Sequence, residues 1–483
     1  MADAATIIDL LADPGTWAPL PLPAPAPTAD EAYAAVLARA QQRSGAPESV
    51  LVGTAAVQGR PVVAVVGEFG FLAGSVGWDT ATRIVAAYDH AAAHRLPLIA
   101  APTSGGTRMQ EGTPAFLQMV QIAGAAAAHR RSGAVGIVWL RGPTTGGVLA
   151  TMGSLGQITL AEPDALIGFL GPRVFAEVTG RPFPPGVQTA EHLQQCGVID
   201  AVVPRSDLRG LVAQVLAVTG DPAVLTAPPP AAPPPAAPPH PDPQAWAHVL
   251  ATRDPARPGA AGLLARAADP FVRLHGTGAG EPSPGLLLGL ARFADRPVVV
   301  IACDRRAEAA GERIGPWSLR AARRMLRLAA ELGLPVLTIV DTVGAELSPA
   351  AEEGAMAGEI ARCLADLHDL PVPVVAVLLG QGAGGGALAL LPADRVVAAE
   401  HAWLTPLPPE GAAAIVHRDA AQAPRMAAEQ RITAAALAGV GAVDVVVPEH
   451  GDWLDRLAGV VAGMLDEPGP GSRAQRWRSL RRP

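Results

Sequence analysis

The chain repeats itself. Arg296-Pro297-Val298-Val299 restates Arg60-Pro61-Val62-Val63 236 positions later, and Gly333-Leu334-Pro335-Val336 answers Arg95-Leu96-Pro97-Leu98. Gly441 to Pro448 closes the second half as Gly197 to Pro204 closes the first. Between these markers each half carries two glycine-bearing loops after apolar runs. The first half has Ser104-Gly105-Gly106-Thr107 and Gly142 to Val148; the second has Asp341-Thr342-Val343-Gly344-Ala345 and Gly380 to Leu388. Pro97 and Gly146 are 49 positions apart, and Pro335 and Gly385 are 50 apart. Such self-similarity restricts the fold to two copies of one architecture. In each copy, short apolar runs alternate with helical patterns, the signature of an α/β fold with buried parallel strands.

The domain boundaries follow. Residues 1–50 form an Ala- and Pro-rich N-terminal extension, with a helix expected from Asp30 to Gln42. The first domain spans 51–220. Residues 221–243 are a polyproline-like linker with no apolar face to bury. The second domain spans 244–466, and the Arg-, Gly- and Pro-rich end, 467–483, reads as a basic disordered tail. Within the first domain, Gln58-Gly59 joins two strand-like runs as a hairpin.

Composition removes whole classes of function. Hydrophobic residues make up 49% and charged residues 17% of the 483 residues, the balance of a folded globular chain. A net charge of −7 gives no electrostatic reason to bind nucleic acid. The N-terminus has no signal-peptide pattern, and no apolar run approaches the ~20 residues of a membrane span. Three scattered cysteines, Cys196, Cys303 and Cys363, make neither a disulfide framework nor a metal site, and fit a reducing cytoplasm. No metal is expected. All 37 basic residues other than histidine are arginine, which excludes a P-loop lysine, a Schiff-base lysine and a lysine-tethered cofactor on these residues.

The loops suggest the chemistry. Glycines at a strand-to-helix junction free backbone N–H groups and keep Cβ atoms out of a ligand's way. If the two loops of each half converge, their N–H groups can stabilise an enolate or other oxyanion. Two such sites imply two reacting groups. No G-x-S-x-G elbow or H-E-x-x-H motif competes.

Several segments together resemble a fused carboxyltransferase of the biotin-dependent acetyl-CoA carboxylase type. Ser104 to Gly112, Pro143 to Val148 and Ala161 to Val174 are similar to its beta subunit, with Thr107 where alanine is common. Trp246 to Pro258, Phe271 to Gly276, Asp341 to Ala345, Ala350 to Gly354 and Gly384 to Leu390 are similar to its alpha subunit, with Val343 in place of a proline. The resemblance implies an α/β fold of two crotonase-like (ClpP/crotonase) domains built from repeated ββα units. It implies transfer of a carboxyl group from carboxybiotin to the α-carbon of acetyl-CoA, giving malonyl-CoA. Gly105, Gly106, Gly146 and Gly147 would hold the thioester oxygen, and Gly344, Gly385, Gly386 and Ala387 the biotin ureido oxygen. Thr107, Arg108, Thr145, Gly168, Phe169 and Gly384 would contact substrate. Biotin would arrive on a separate biotin carboxyl carrier protein charged by biotin carboxylase, and the chain would form a homodimer or higher oligomer. Transfer to another short acyl-CoA, decarboxylation of a CoA thioester, and a non-catalytic scaffolding role remain alternatives.

Overall fold

The computed structural model describes residues 2–22, 31–169, 171–172, 175–176, 180–220, 241–466, 473–478 and 480. Most of the Pro-rich linker (221–240), the first residue of the expected N-terminal helix, Asp30, the resembling residues Leu170, Arg173 and Val174, and tail residues 467–472, 479 and 481–483 lie outside that range. Contacts separate two compact units, Met1–Thr219 with Gly278–Gly280, and Gly220–Thr277 with Glu281–Pro483.

The first unit is built on one seven-stranded sheet. Its strands are β1 (Ala18–Pro19), β2 (Val50–Val57), β3 (Arg60–Gly67), β4 (Leu98–Ala101), β5 (Gly136–Leu140), β7 (Ile158–Ala161) and β9 (Ala201–Val202), in that spatial order. Two short strands, β6 (Thr144–Thr145) and β8 (Ile167–Gly168), pair separately. β2 and β3 form an antiparallel hairpin, and β3, β4, β5, β7 and β9 run parallel. Every residue of β4, β5 and β7 is buried. That burial explains why these strands read as unbroken apolar runs rather than alternating ones. Helices Trp78–His94 and Gly112–Arg131 cover the sheet with Ile84, Ala87, Met119 and Ile122. The described part of residues 1–50 packs on the same unit: helix Ala4–Leu11 buries Ile7, Ile8 and Leu11, and β1 extends the sheet along β2.

The second unit restates this plan. β10 (Ala268–Leu274), β11 (Leu286–Phe293), β12 (Arg296–Cys303), β13 (Val336–Thr342), β14 (Val374–Ala383), β15 (Arg395–Ala399) and β17 (Val445–Val447) lie in that order, with β16 (Trp403–Thr405) beside β14. Again a hairpin, β11–β12, leads into parallel strands. The repeat extends to register. Val57 pairs with Arg60, and Phe293 pairs with Arg296. Both connecting turns have positive φ at their two central residues: 49° and 77° at Gln58-Gly59, 44° and 66° at Ala294-Asp295. That is the geometry whose twist matches a two-residue hairpin.

Within the stretch expected to be a disordered tail, Arg473–Arg478 is helical. Arg473 is buried against the Asp394 carboxylate at 2.7 Å, and Arg476 pairs with Asp444 at 2.7 Å. Arginines that read as solvated charge are ion-pair anchors. Among the described residues no helix is long and apolar enough to cross a membrane.

Candidate active site

The two loops of the first unit meet. β4 ends at Ala101 and β5 at Leu140, adjacent parallel strands, so the loops that follow emerge side by side. Backbone hydrogen bonds then stitch them together: Ser104 N–H donates to Pro143 O at 2.7 Å, and Thr145 N–H to Ser104 O at 3.0 Å. A Cβ added to Gly146 would stand 3.3 Å from Gly106 Cα, so at this crossing the backbones leave little room for a side chain. Gly106 (φ 111°) and Gly146 (φ 64°) both adopt conformations that favour glycine.

Most of the glycines marked as donors are already committed. Gly105 N–H donates to Ala73 O at 2.9 Å, Gly106 N–H to Ser104 Oγ at 3.0 Å, and Gly146 N–H to Phe169 O at 2.9 Å. Their contribution is to shape the turn. Among the described residues, the N–H groups of Thr107 and Gly147 have no hydrogen-bond partner. They sit on opposite loops, and a Cβ at Gly147 would lie 3.4 Å from Thr107 Oγ1. The open donors of this unit are therefore one residue further along each loop than most of the glycines singled out by sequence.

The second unit repeats the main turns of this arrangement. Gly344 (φ 126°) donates its N–H to Thr342 Oγ1 at 3.1 Å, as Gly106 does to Ser104. Glu346 N–H donates to Ile314 O at 2.9 Å, as Arg108 N–H does to Val76 O. Gly384 takes φ 64°, the value of Gly146. Ala345 thus occupies the place of Thr107, and among the described residues its N–H has no partner; it faces the first turn of helix Gly384–Leu388. A Cβ at Gly386 would come within 3.2 Å of Ala345 N. Gly385 and Gly386 belong to the first helical turn, whose N–H groups have no intrahelical acceptor. Ala387 is fully buried one step deeper.

The other residues marked by sequence have mixed fates. Arg108, expected at the substrate, is instead 1% exposed and faces inward. Its guanidinium makes bonds of 2.6 and 2.7 Å to the two carboxylate oxygens of Glu48 and donates to Ser75 O at 2.9 Å. Burial disfavours its charge, and the Glu48 carboxylate more than offsets that, leaving it above its ordinary pKa. Thr145 is buried, with its hydroxyl donating to Ser104 O at 3.3 Å. Gly168 pairs with Thr145 across β6 and β8, and a Cβ there would strike Gln188 at 2.0 Å. Phe169 is exposed beside the second loop. Thr107 is half-buried at the lip.

Sequence reading missed Glu308. It sits in helix Arg305–Ala309 and is 7% exposed. Its carboxylate accepts Val343 N–H at 3.1 Å and the Thr342 hydroxyl. Burial pushes it up to about 7, against the pull of those two bonds. It lines a cavity of about 670 Å³ together with Arg257, Gly259, Arg305, Val343 and Gln381. No motif marks a lone glutamate 34 residues ahead of the loop it touches. Among the described residues no group of three or more His, Cys, Asp or Glu could hold a metal ion.

Two repeated units, each an antiparallel hairpin feeding a parallel sheet with crossed loops at the strand ends, define a protein of two crotonase-fold domains. A model of the carboxyl transferase domain matches residues 4–443, and the chain belongs to that family. It is 50% identical over 464 residues to a probable biotin-dependent acyl-coenzyme A carboxylase beta3 subunit of Mycobacterium bovis, covering 93% of this chain and 92% of that one. It is 42% identical over 470 residues to the acetyl-coenzyme A carboxylase carboxyl transferase subunits beta/alpha of Salinispora arenicola, covering 92% and 82%. A solved transcarboxylase 12S, described as a hexamer assembly with methylmalonyl-coenzyme A and methylmalonic acid bound, superposes with a TM-score of 0.77 at 21% identity, over 100% of this chain and 91% of that one. The protein is a carboxyltransferase of the biotin-dependent acyl-CoA carboxylase type.

Proposed function

We propose that this chain moves the carboxyl group of carboxybiotin to the α-carbon of acetyl-CoA, giving malonyl-CoA. The observation that carries this reading is the duplication of the donor pair. Thr107 and Gly147 in one unit, and Ala345 with Gly385 and Gly386 in the other, offer neutral N–H groups to two separate oxygens. A thioester enolate and a ureido anion are two such oxygens. Open backbone donors suit both, because N–H dipoles stabilise negative charge developing on an oxygen without a counter-ion.

Carboxybiotin supplies the carboxyl group as CO2 and, once decarboxylated, a base for the α-proton. The chain's own residues then have a limited task. Thr107 and Gly147 hold the thioester oxygen as charge develops there. Ala345, Gly385 and Gly386 hold the ureido oxygen. Losing one such donor costs about 10²–10³ in rate. Gly105, Gly106, Gly146, Gly344 and Gly384 give the loops the turns that aim those donors. These 483 residues contain no lysine to bear biotin, which supports a carrier protein outside them, charged by a biotin carboxylase. Acetyl-CoA as acceptor is supported by the description of the Salinispora relative.

The test offers the purified protein a carboxylated biotinyl carrier with acetyl-, propionyl- and butyryl-CoA in turn. Malonyl-CoA should form fastest. A faster reaction with a longer acyl-CoA reassigns the acceptor, and no biotin-dependent carboxyl exchange with any of the three sinks the reading.

A further inference from the structure

The two donor loops are fastened by different chemistry. In the first unit the anchor of Gly105 N–H is a backbone carbonyl, Ala73 O, at 2.9 Å. At the matching place in the second unit, Val343 N–H reaches the Glu308 carboxylate at 3.1 Å. The Thr342 hydroxyl, which receives Gly344 N–H at 3.1 Å, donates to the other Glu308 oxygen. Thr342 and Val343 thus bond to one carboxylate directly and Gly344 is tied to it through the Thr342 hydroxyl, and the next residue is Ala345, which carries the open donor.

We propose that Glu308 is a positioning residue for the second unit's oxyanion site, its ionised carboxylate holding the loop so that Ala345 N–H is aimed at the reacting oxygen. This rests on the function proposed above. Both partners of Glu308 are donors, so only the carboxylate accepts both at once. An added proton makes one oxygen a donor. The Thr342 hydroxyl must then turn, and its other acceptor is Gly344 O at 3.3 Å, inside the loop itself. The first unit has no such sensitivity, because a carbonyl does not titrate.

The groups around Glu308 set where this happens. Burial raises its pKa to about 7; the bonds from Thr342 and Val343 lower it, Asp341 on β13 raises it, and Arg313 lowers it. Cys303 at the end of β12 is a neutral thiol, pushed well up by burial. Asp304 caps the Glu308 helix through the N–H groups of Arg306 and Ala307. Ionised Glu308 is the form above about pH 7, so the aligned loop should be lost as pH falls through that value.

Glu308→Gln tests the idea, since the amide keeps the shape without a titrating proton. The wild type should lose kcat below about pH 7 with KM for acyl-CoA unchanged. Glu308→Gln should have kcat at least about tenfold lower at pH 8, by misalignment of the donor, and a flat profile from about pH 6 to 8.5. Glu308→Asp should recover part of the pH dependence. Amide hydrogen exchange of residues 342–347 gives a readout without turnover: protection should fall with pH in the wild type, and be low and pH-independent in Glu308→Gln. Wild-type kcat, pH profile and exchange in Glu308→Gln would overturn the proposal while leaving carboxyl transfer standing. If the wild type transfers nothing, the function reading fails, and the exchange data alone decide whether Glu308 sets the loop.

Discussion

Arg108 and Glu48 form a buried ion pair whose two members lie 60 residues apart. Truncating one member leaves the other charge buried and unpaired, which is far costlier than the net value of the pair. Arg108→Ala should therefore destabilise the first unit by about 3–5 kcal/mol, read by urea denaturation. The pH dependence has a definite sign. Burial raises the Glu48 pKa, but Arg108, with bonds from Ser49 N–H and the Thr80 hydroxyl, outweighs it and holds the carboxyl below its ordinary value. A depressed native pKa means the stabilisation is complete above the ordinary carboxylate range and lost as pH falls through the native value. The deficit of Arg108→Ala should thus shrink in acid, and a deficit that grows there would contradict the pairing. The family resemblance placed Arg108 at the substrate. Its partner stands in the segment set apart as an N-terminal extension, and no spacing rule connects the two. Glu308 was invisible for the same reason: its meaning lies in which N–H it meets across the fold.

The paired loops are where sequence was most informative, and the physical cause is periodicity. Strand runs, hairpin turns and glycine spacings are local, so a duplicated element leaves a duplicated pattern. The matched registers at Val57–Arg60 and Phe293–Arg296 are that pattern in three dimensions. Which amide of each loop stays open was not local. It depends on Ala73, Phe169 and the serine or threonine hydroxyl that consume the neighbours. Two substitutions test the loops as elements. Gly106→Val forces a β-branched residue to φ 111°, with Gly146 Cα 3.8 Å from the new Cβ. Gly386→Val places a branched side chain against Ala345 N, where even the Cβ arrives at 3.2 Å. Each should reduce carboxyl transfer by about 10²-fold or more, while circular dichroism and gel filtration stay near wild type. Full activity in either variant would defeat the role given to its loop pair.

At the scale of the whole molecule, helix Gly112–Arg131 argues for self-association. A helix that is apolar on all sides belongs inside a protein. This one turns Ala115, Met119, Ile122 and Ala126 into the first unit's core, yet its other side presents Phe116, Leu117 and Val120, with Phe116 60% and Val120 71% exposed. Met109, just before it, is also exposed. Apolar side chains clustered on one helix directly after a donor loop mark a surface that is covered in the working protein. A second copy of this chain seated there would take these side chains out of water. Val120→Glu, alone and with Phe116→Glu, puts charge on that face without touching the buried side of the helix. The expected result is a shift toward monomer in light scattering, with the melting temperature lowered only as far as dissociation requires. Carboxyl transfer should fall with the oligomer and recover at high protein concentration, since mass action restores an assembly that has been weakened. An unchanged oligomeric state in the double variant would show that this face is covered by something other than a second copy.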